Sequence, residues 1–429
     1  MFRPKSKTHL LFEGEFSLPE CLEEKTMIIN KSQKMANVRY DIRGRISDEA
    51  DSLERAGINI IRLNTGNPAA FGFETPPSII NALEANSSIS APYSTSKGLP
   101  EAREAIARYC ISKGIKDVDA EDVYTGNGVS ELIQLSLQAF LNLGDEILIP
   151  TPDYPLWTAA AILAGGTAVH YICDEQSEWY PDLDDIKRKI NARTRAIVII
   201  SPNNPTGAVY PKELVNSIVE LAREHELVLF SDEIYDRLLM DDAQHTPVAT
   251  LAPDLLTLTF NGLSKSHQIC GYRAGWMTVC GDKSGADGYI EGIRTLASLR
   301  LCSNVTAQSV IKAALEDASA SNANTSPGGR LYEQREYTYT ALNEIPGISV
   351  VKSRAGLYMF PKIDIDKYGI VDDERFVLDF LREKHVLLTH GSTYNWKKPD
   401  HFRVVYLPKM EELTEVMDRL RDFLEHYHQ

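Results

Sequence analysis

The chain has 429 residues, 43% of them hydrophobic, which is enough to bury a large core in about two domains. Its net charge of −15 argues against nucleic acid as a partner, and no apolar run approaches the ~20 residues of a membrane-spanning helix. The six cysteines lie apart, without the spacing of a zinc site or disulfide framework, so we expect a cytoplasmic protein with reduced thiols.

Residues 1–37 form an N-terminal extension whose order the sequence leaves open. Its basic start is soon followed by several glutamates, and it lacks the continuous apolar segment of a signal peptide. Residues 38–65 contain an amphipathic helix pattern, with Ile46, Ala50 and Leu53 on roughly one face, that leads into a short strand. We expect this segment to pack against a small domain at the entrance to the functional site.

Residues 66–304 alternate strand-like and helix-like patterns. This alternation predicts an α/β domain with a mainly parallel sheet that is covered by helices on both faces. Five of the apolar runs are followed by polar turns. Because open α/β sheets bind ligands beyond the carboxyl ends of their strands, we expect the functional residues in these turns.

The first turn is YTGNGVSE (124–131), which opens an amphipathic run from 132 to 143. The backbone N–H groups of Gly128, Val129 and Ser130 at the start of that helix, with the Ser130 hydroxyl, predict a phosphate site. The two glycines also begin a dinucleotide-binding fingerprint. Glutamate occupies its third glycine position, which excludes that fingerprint.

The second turn, TPDYPLW (151–157), places Tyr154 just beyond a strand, where its ring can stack on a planar cofactor. The third turn, SPNNPTG (201–207), follows the apolar run 196–200. Taken alone, its asparagines, prolines and glycine indicate ordinary turn chemistry.

The fourth turn, SDEIY, carries Asp232 and Tyr235. A carboxylate at a strand end can hold a pyridine nitrogen protonated, and a nearby phenol can bond the ring's hydroxyl, although a solvated loop is the simpler interpretation.

The fifth turn follows the strand pattern 255–260 and carries Lys265, with Arg273 eight residues later. A lysine whose pKa is lowered by partial burial can form a Schiff base, and an arginine can bind a phosphate through two hydrogen bonds. A surface loop is about equally compatible with this motif alone. Cys270, between the two cations, is expected to be a small apolar filler.

Residues 305–429 change character and predict a smaller α+β domain. Its expected strands cover 348–351, 357–361, 386–388 and 402–407, and its expected helices cover 373–384 and the stretch from 410. Residues 322–329 are rich in asparagine, serine, proline and glycine, which predicts a loop.

The five turns, in this order, resemble the class I/II aminotransferases of the fold-type I pyridoxal phosphate (PLP) family, over residues from about 40 to the end. The strings most similar to bacterial alanine transaminases are YDIRG (40–44), LNTGNPAAFGF (63–73), DYPLWTAA (153–160) and GGRLYEQR (328–335). The resemblance implies a large domain with a mainly parallel, seven-stranded sheet and a smaller α+β domain. It also implies a homodimer that converts L-alanine and 2-oxoglutarate to pyruvate and L-glutamate by a ping-pong mechanism.

The resemblance assigns a role to each motif residue. Lys265 would hold PLP covalently and transfer the substrate's α-proton, and Asp232 would pair with the pyridine nitrogen. Tyr235 and Asn204 would bond the ring oxygen, and Tyr154 would stack on the ring. The residues that would hold the phosphate are Gly128, Val129, Ser130, Ser264, Arg273 and, from a neighbouring subunit, Tyr93.

The substrate's α-carboxylate would meet Arg403, the backbone N–H of Gly66 and the side chain of Asn204. A fixed cation for glutamate's second carboxylate would be left unpaired when alanine binds, which is costly, so we expect a movable arginine. Arg43 is the first candidate, with Tyr40 as a neighbouring gate, and Arg300 is the second. A surface salt bridge is an equally plausible role for Arg43.

One position departs from the family pattern: Gly262 stands where many relatives have serine or threonine, three residues before the lysine. This departure predicts one fewer hydroxyl at the phosphate.

Two other functions remain open. The same scaffold also supports transamination of branched or aromatic amino acids and carbon–sulfur lyase chemistry, because a fold does not determine a reaction. A non-catalytic PLP-binding regulator would need a basic N-terminal domain of roughly 60 residues, and residues 1–37 are too few and too mixed in charge.

Overall fold

The computed structural model describes residues 29–40, 44–317 and 323–429. Arg43, our first candidate for a movable arginine, lies outside these ranges. Among the described residues, no helix has the length and apolar character required to cross a membrane.

The central sheet of the large domain has eight strands in the order β2-β9-β8-β7-β6-β3-β4-β5. Strands β3, β6, β8 and β9 are almost wholly buried, as expected of a sheet covered on both faces, whereas most residues of β4 are only partly buried or exposed. The five strands from β8 to β4 run parallel to one another, whereas β9 is antiparallel to both β2 and β8. The strands are β2 (Val123–Asn127), β3 (Glu146–Thr151), β4 (Thr167–Asp174), β5 (Tyr180–Pro181), β6 (Thr194–Ile200), β7 (Val228–Asp232), β8 (Thr257–Gly262) and β9 (Ala274–Cys280).

This arrangement confirms the mainly parallel sheet, and the two-residue β5 adds a short antiparallel edge to the seven expected strands. The carboxyl ends of β2, β3, β6, β7 and β8 share one edge of the sheet. The turns identified in the sequence therefore meet at that edge.

Helices cover the sheet on both faces because each buries one apolar side against it. One face packs on residues of α4, α5 and α9, and the other packs on residues of α6 and α7. The large-domain helices are α2 (Pro77–Ala85), α3 (Pro100–Ser112), α4 (Val129–Phe140), α5 (Leu156–Leu163), α6 (Leu183–Lys189), α7 (Lys212–Glu224), α8 (Leu263–Ser266) and α9 (Asp287–Leu299). Helix α4 covers Val129–Phe140, whereas the amphipathic run in the sequence covers residues 132–143, so the helix both starts and ends three residues earlier than predicted.

The small domain has its own hydrophobic core and three short sheets. Its strands are β1 (Ile61–Arg62), β10 (Ile348–Ser349), β11 (Tyr358–Met359), β12 (Lys362–Ile363), β13 (Val386–Leu387), β14 (Thr389–His390) and β15 (Phe402–Val405). The N-terminal helix α1 (Arg45–Arg55) joins this core through Ile46 and Ala50, and β1 pairs with β13 in parallel.

The link between the domains differs from the sequence expectation in two places. Helices α10 (Val305–Gln308) and α11 (Ile311–Glu316) follow residue 304, but they pack with α2 and α3 of the large domain. Residues 323–325 form a helical turn within the stretch expected to be a loop. The remaining small-domain helices are α12 (Arg330–Asn343), α13 (Ile365–Tyr368), α14 (Asp373–Lys384) and α15 (Met410–His426).

Candidate active site

Lys265 lies in the short helix α8, directly beyond the carboxyl end of β8. Its Nζ donates a hydrogen bond of 2.6 Å to the carbonyl oxygen of Gly66 and lies 3.9 Å from the Sγ of Cys270. Burial lowers the pKa of Lys265, but the neighbouring Tyr358 and Cys270 outweigh that effect, so the pKa is raised. The lowered lysine pKa expected from the sequence is therefore wrong for this arrangement of side chains.

Asp232 ends the central strand β7, and its side chain is buried. The indole Nε1 of Trp157 donates to its Oδ2 at 3.0 Å, and the backbone N–H of Ile234 donates to its Oδ1 at 3.3 Å. Burial raises the pKa of Asp232 to about 6, and the Trp157 hydrogen bond holds it below the value that burial alone would give. The site thus contains a buried carboxylate that gains from a nearby cation.

Tyr235 follows β7 and faces Tyr358 of the small domain. Their hydroxyl groups are 3.0 Å apart, and their rings meet edge to face at 5.9 Å. Gly66 lies against the same phenol, because a Cβ added to Gly66 would overlap the Tyr358 hydroxyl. Tyr358 therefore joins elements of both domains beside Lys265.

Arg403 lies in β15 and is fully buried. Its Nη1 donates to the Oδ1 of Asn204 at 2.9 Å, and its Nη2 donates to the carbonyl oxygen of Asn64. The guanidinium carbon lies 4.1 Å from the ring centre of Tyr358 and 4.9 Å from that of Tyr394. Its Nε has no hydrogen-bond partner among the described residues. Arg403 and Asn204, which are far apart in sequence, thus form one polar group.

The expected phosphate residues also come together. The N–H of Gly128 donates to the carbonyl oxygens of Gly126 and Arg273 in this structure, and the contribution of Gly128 to a phosphate site stays a prediction. Val129 and Ser130 begin α4, and the first N–H groups of a helix lack intrahelical acceptors. The Arg273 guanidinium packs over Gly128 so closely that a Cβ there would collide with it.

Ser264 precedes Lys265 in α8, and its carbonyl oxygen accepts a hydrogen bond of 2.8 Å from the Cys270 thiol. Cys270, which the sequence indicated to be an apolar filler, therefore makes polar contacts beside the lysine. Gly262 has no room for a side chain: a Cβ there would lie 2.7 Å from the carbonyl oxygen of Ala274. The close pairing of β8 with β9 thus favours glycine at this position.

Tyr154 lies beyond β3 and meets Tyr40, with their hydroxyls 2.9 Å apart and their rings edge to face at 6.4 Å. Tyr40 therefore lies next to the expected cofactor ring. Tyr93 is 79% exposed and lies on the surface of this chain. The Nη2 of Arg300 donates to the carbonyl oxygens of Ser96 and Thr125, and its Nε is 3.4 Å from a Glu131 carboxylate oxygen.

Sequence reasoning missed four residues that shape this site: Asn64, Trp157, Tyr358 and Tyr394. Trp157 was recognisable in principle, because it lies in the same turn as Tyr154. The other three lie in the N-terminal segment or the small domain, and their contacts depend on how those parts fold against the large domain.

Comparison with known proteins is consistent across sequence and structure. The family model for aminotransferase class I and II matches residues 58–420. The glutamate-pyruvate aminotransferase AlaA of Escherichia coli K12 is 54% identical over 401 residues, which cover 94% of this chain and 99% of that protein. An alanine aminotransferase of Mycobacterium tuberculosis is 50% identical, with 93% of each chain covered.

Two solved structures extend the likeness to three dimensions. A crystal structure of an E. coli aminotransferase matches with a TM-score of 0.93 and 54% identity, covering 94% of this chain and all of that one. The alanine aminotransferase of Pyrococcus furiosus matches with a TM-score of 0.88 and 39% identity, covering 92% of this chain and all of that one.

Proposed function

The chain belongs to the class I and II aminotransferase family, and from that premise we propose that it uses PLP to convert L-alanine and 2-oxoglutarate to pyruvate and L-glutamate. The observation that carries the choice of substrates is the 54% identity, over nearly the whole of both chains, to a glutamate-pyruvate aminotransferase. The enzyme class itself follows from the family.

The polar groups of the site match the groups of PLP. A buried carboxylate, Asp232, suits a protonated ring nitrogen, and the amine of Lys265 suits an aldehyde carbon. The first turn of α4 and the guanidinium of Arg273 offer N–H donors for a phosphate next to Gly128. We propose that these residues, with Ser264 and Tyr154, hold the cofactor.

The proposed mechanism assigns one task to each side chain. When bound, PLP supplies a conjugated, protonated ring that accepts the electron pair released at the substrate's α-carbon. Asp232 keeps the ring nitrogen protonated, and Tyr235 with Asn204 donates to the ring oxygen. Lys265, once neutral, removes the α-proton and returns it at the neighbouring carbon as a general acid and base.

Arg403 binds the α-carboxylate of every substrate in this proposal. Its guanidinium is buried between two tyrosine rings and contacts Asn204, so a carboxylate that accepts from its remaining N–H groups would be held in a fixed orientation. The backbone N–H of Gly66 is the proposed second donor. Both half-reactions of the ping-pong cycle would bind the α-carboxylate through these same groups.

The distal carboxylate of glutamate requires a separate group, and we propose Arg43. Its support is the contact of Tyr40 with Tyr154, since Tyr40 is only three residues away along the chain. Arg300 is the weaker candidate because its Nη2 already serves two carbonyl groups and Glu131 stands beside it.

We also propose a homodimer with shared sites, in which Tyr93 reaches the phosphate of the partner. Its support is the exposure of a large aromatic side chain in the loop that serves the neighbouring subunit in this family.

A panel of amino donors tests the proposed substrates. The purified holoenzyme is assayed with alanine, glutamate, leucine, phenylalanine and cystathionine as amino donors, against pyruvate and 2-oxoglutarate, by oxo-acid formation. Alanine with 2-oxoglutarate, and glutamate with pyruvate, are expected to give the highest kcat/KM, and Lys265→Ala is the inactive control. Faster turnover of leucine or phenylalanine, or release of ammonia and a thiol from cystathionine, would reassign the reaction.

A further inference from the structure

A compact polar contact joins the end of β3 in the large domain to the small-domain segment 391–395. Asp153 is completely buried there, and its Oδ1 accepts a hydrogen bond of 2.6 Å from the Nδ2 of Asn395. The backbone N–H of Asp153 donates to the carbonyl oxygen of Tyr394 at 3.1 Å. Thr151 completes the contact, since its hydroxyl donates to the carbonyl oxygen of Asn395 at 2.8 Å. Three hydrogen bonds thus connect the two domains within a few residues.

Each partner of this contact is next in sequence to a ring of the active site. Asp153 directly precedes Tyr154, the proposed stacking residue. Asn395 directly follows Tyr394, whose ring centre lies 4.9 Å from the guanidinium carbon of Arg403. The contact therefore connects Tyr154, which would stack on the cofactor ring, with Tyr394, which packs against Arg403.

The carboxylate of Asp153 is held on its second oxygen as well. The hydroxyl of Thr158 donates to Oδ2 at 3.0 Å and lies 2.9 Å from the Nε2 of His170. Burial lowers the pKa of His170 to about 4, so the ring is neutral at physiological pH and can donate its Nε2 proton to Thr158. Other groups facing this cluster include the Nδ2 of Asn395, 3.2 Å from the Thr158 hydroxyl, and two ammonium groups near His170, those of Lys397 and of Lys189, the latter bound to the carbonyl oxygen of His170. Both oxygens of Asp153 thus have fixed partners, which leaves the carboxylate little freedom to turn.

We propose that Asp153 and Asn395 are positioning residues for the substrate's α-carboxylate, because their hydrogen bond fixes Tyr394, and through it Arg403, relative to the cofactor ring beside Tyr154. This inference rests on the proposed binding of the α-carboxylate by Arg403. It assigns the pair an effect on the binding of all substrates and inhibitors that carry this carboxylate. Hydrogen bonds to a buried carboxylate are strong enough for the task and are not screened by water.

The backbone at Asn395 decides which substitutions are informative. Its φ is 57°, in the left-handed region that glycine, asparagine and aspartate adopt most readily. Asn395→Asp keeps this conformation and places two carboxyl groups opposite each other. Asn395→Gly keeps the conformation and removes the side chain. Asp153→Asn combined with Asn395→Asp exchanges the amide and the carboxylate and restores one hydrogen bond between them.

The test compares these variants at pH 8 by steady-state kinetics and by equilibrium binding of glutarate, which carries carboxylates but no amine. Glutarate binding is followed by tryptophan fluorescence, because Trp396 adjoins Asn395. Lys362→Gln is the matched control, since Lys362 also joins the two domains, through an ion pair of 3.3 Å with Glu175, without touching the site. Arg403→Lys is the reference variant for weakened binding of the substrate's α-carboxylate.

We expect Asn395→Asp to raise the KM for alanine and for 2-oxoglutarate, and the Kd for glutarate, at least tenfold, with kcat changed less than threefold. Asn395→Gly should raise the same constants about fivefold, the exchanged double variant should return within about threefold of the original enzyme, and Lys362→Gln should behave as the original. If Asn395→Asp fails to fold, Asn395→Gly and the double variant provide the same comparison.

An unchanged KM and Kd in folded Asn395→Asp or Asn395→Gly, together with a large rise in Arg403→Lys, would overturn the positioning role and leave the proposed function standing. A failure of the exchanged pair to recover binding would also count against it. An unchanged KM in Arg403→Lys would instead overturn the proposed binding of the α-carboxylate by Arg403, and with it the positioning role of Asp153 and Asn395.

Discussion

Replacing Trp157 by phenylalanine removes the side-chain hydrogen bond of Asp232 and keeps an aromatic ring in the core. The indole Nε1 donates to the buried carboxylate at 3.0 Å, and its ring packs edge to face on Phe230 and Phe260, at 6.0 and 5.3 Å. Phenylalanine preserves much of that packing. The change therefore separates the hydrogen bond from the hydrophobic contribution of the residue.

The size of the effect follows from the burial of the carboxylate. A hydrogen bond to a charged group is worth about 1.5–3 kcal/mol, which corresponds to roughly 10- to 150-fold in an equilibrium constant. The Trp157 bond lowers the pKa of Asp232, so its loss raises that pKa further from about 6, by roughly 1 to 2 pH units. At pH 7 about half or more of the variant's Asp232 would then be protonated before PLP binds, and the protonated form could not pair with a ring-nitrogen cation.

The assay is the Kd of PLP measured from pH 6 to pH 9. We expect the variant to bind PLP about 2- to 10-fold more weakly at pH 7 and about 5- to 50-fold more weakly at pH 6, as the ionised fraction of Asp232 falls when its pKa rises from about 6 by 1 to 2 pH units, and to approach the original enzyme near pH 9. A packing defect alone would weaken binding equally at every pH, and Trp179→Phe, a buried tryptophan that packs on Phe360, controls for that defect. A Kd that is unchanged, or that shifts by a constant factor from pH 6 to pH 9, would refute the role of the Trp157 hydrogen bond.

Three further predictions concern the subunit interface, the choice of donor and the pH dependence of stability. Mixing Tyr93→Phe chains with Lys265→Ala chains should give heterodimers with one site that carries both defects and one that carries neither; full activity of a dilute monomer would exclude shared sites. Arg43→Ala should lower kcat/KM for glutamate by the equivalent of about 2–5 kcal/mol, the cost of truncating one partner of a buried charge pair, and leave kcat/KM for alanine nearly unchanged. Equal losses for both donors would contradict a movable arginine that binds only the distal carboxylate of glutamate. Burial raises the pKa of Asp153 from 3.8 to about 7, so its protonated form favours the folded state below pH 4 and this contribution is lost as the pH rises to 7. The unfolding free energy, measured in urea, should therefore fall by roughly 4 kcal/mol between pH 4 and pH 8 relative to Asp153→Asn; parallel curves for the two proteins would contradict the raised pKa.

The sequence was sufficient to predict the large-domain sheet and the residues at its edge. Strands such as β6 are continuous apolar runs, and a parallel sheet places their carboxyl ends together, so the order of motifs along the chain groups Asp232, Lys265 and Tyr154 at one site. The likeness to a known family then added Arg403 and Asn204, whose contact at 2.9 Å no local pattern predicts.

The remainder of the site depends on contacts between segments that are far apart in the chain. Tyr358 reaches Tyr235 across 123 residues, and Asn395 reaches Asp153 across 242. Each of these small-domain residues lies in a short strand or turn whose sequence is typical of ordinary core or loop. Likewise, the pKa of Lys265 is raised by Tyr358 together with Cys270, and the sequence did not bring Tyr358 near the lysine.

Gly66 shows how tightly these parts are interlocked. Its carbonyl oxygen holds the ammonium of Lys265 at 2.6 Å, while its backbone N–H is the proposed second donor to the substrate's carboxylate. The Tyr358 hydroxyl occupies the space of a side chain at Gly66, and the same phenol contacts Tyr235 and underlies Arg403. Any displacement of this glycine would therefore move the lysine's acceptor, the ring beneath the arginine and the contact between the domains together. Because glycine permits this close approach, one backbone position can link the group that moves the proton to the group that holds the carboxylate.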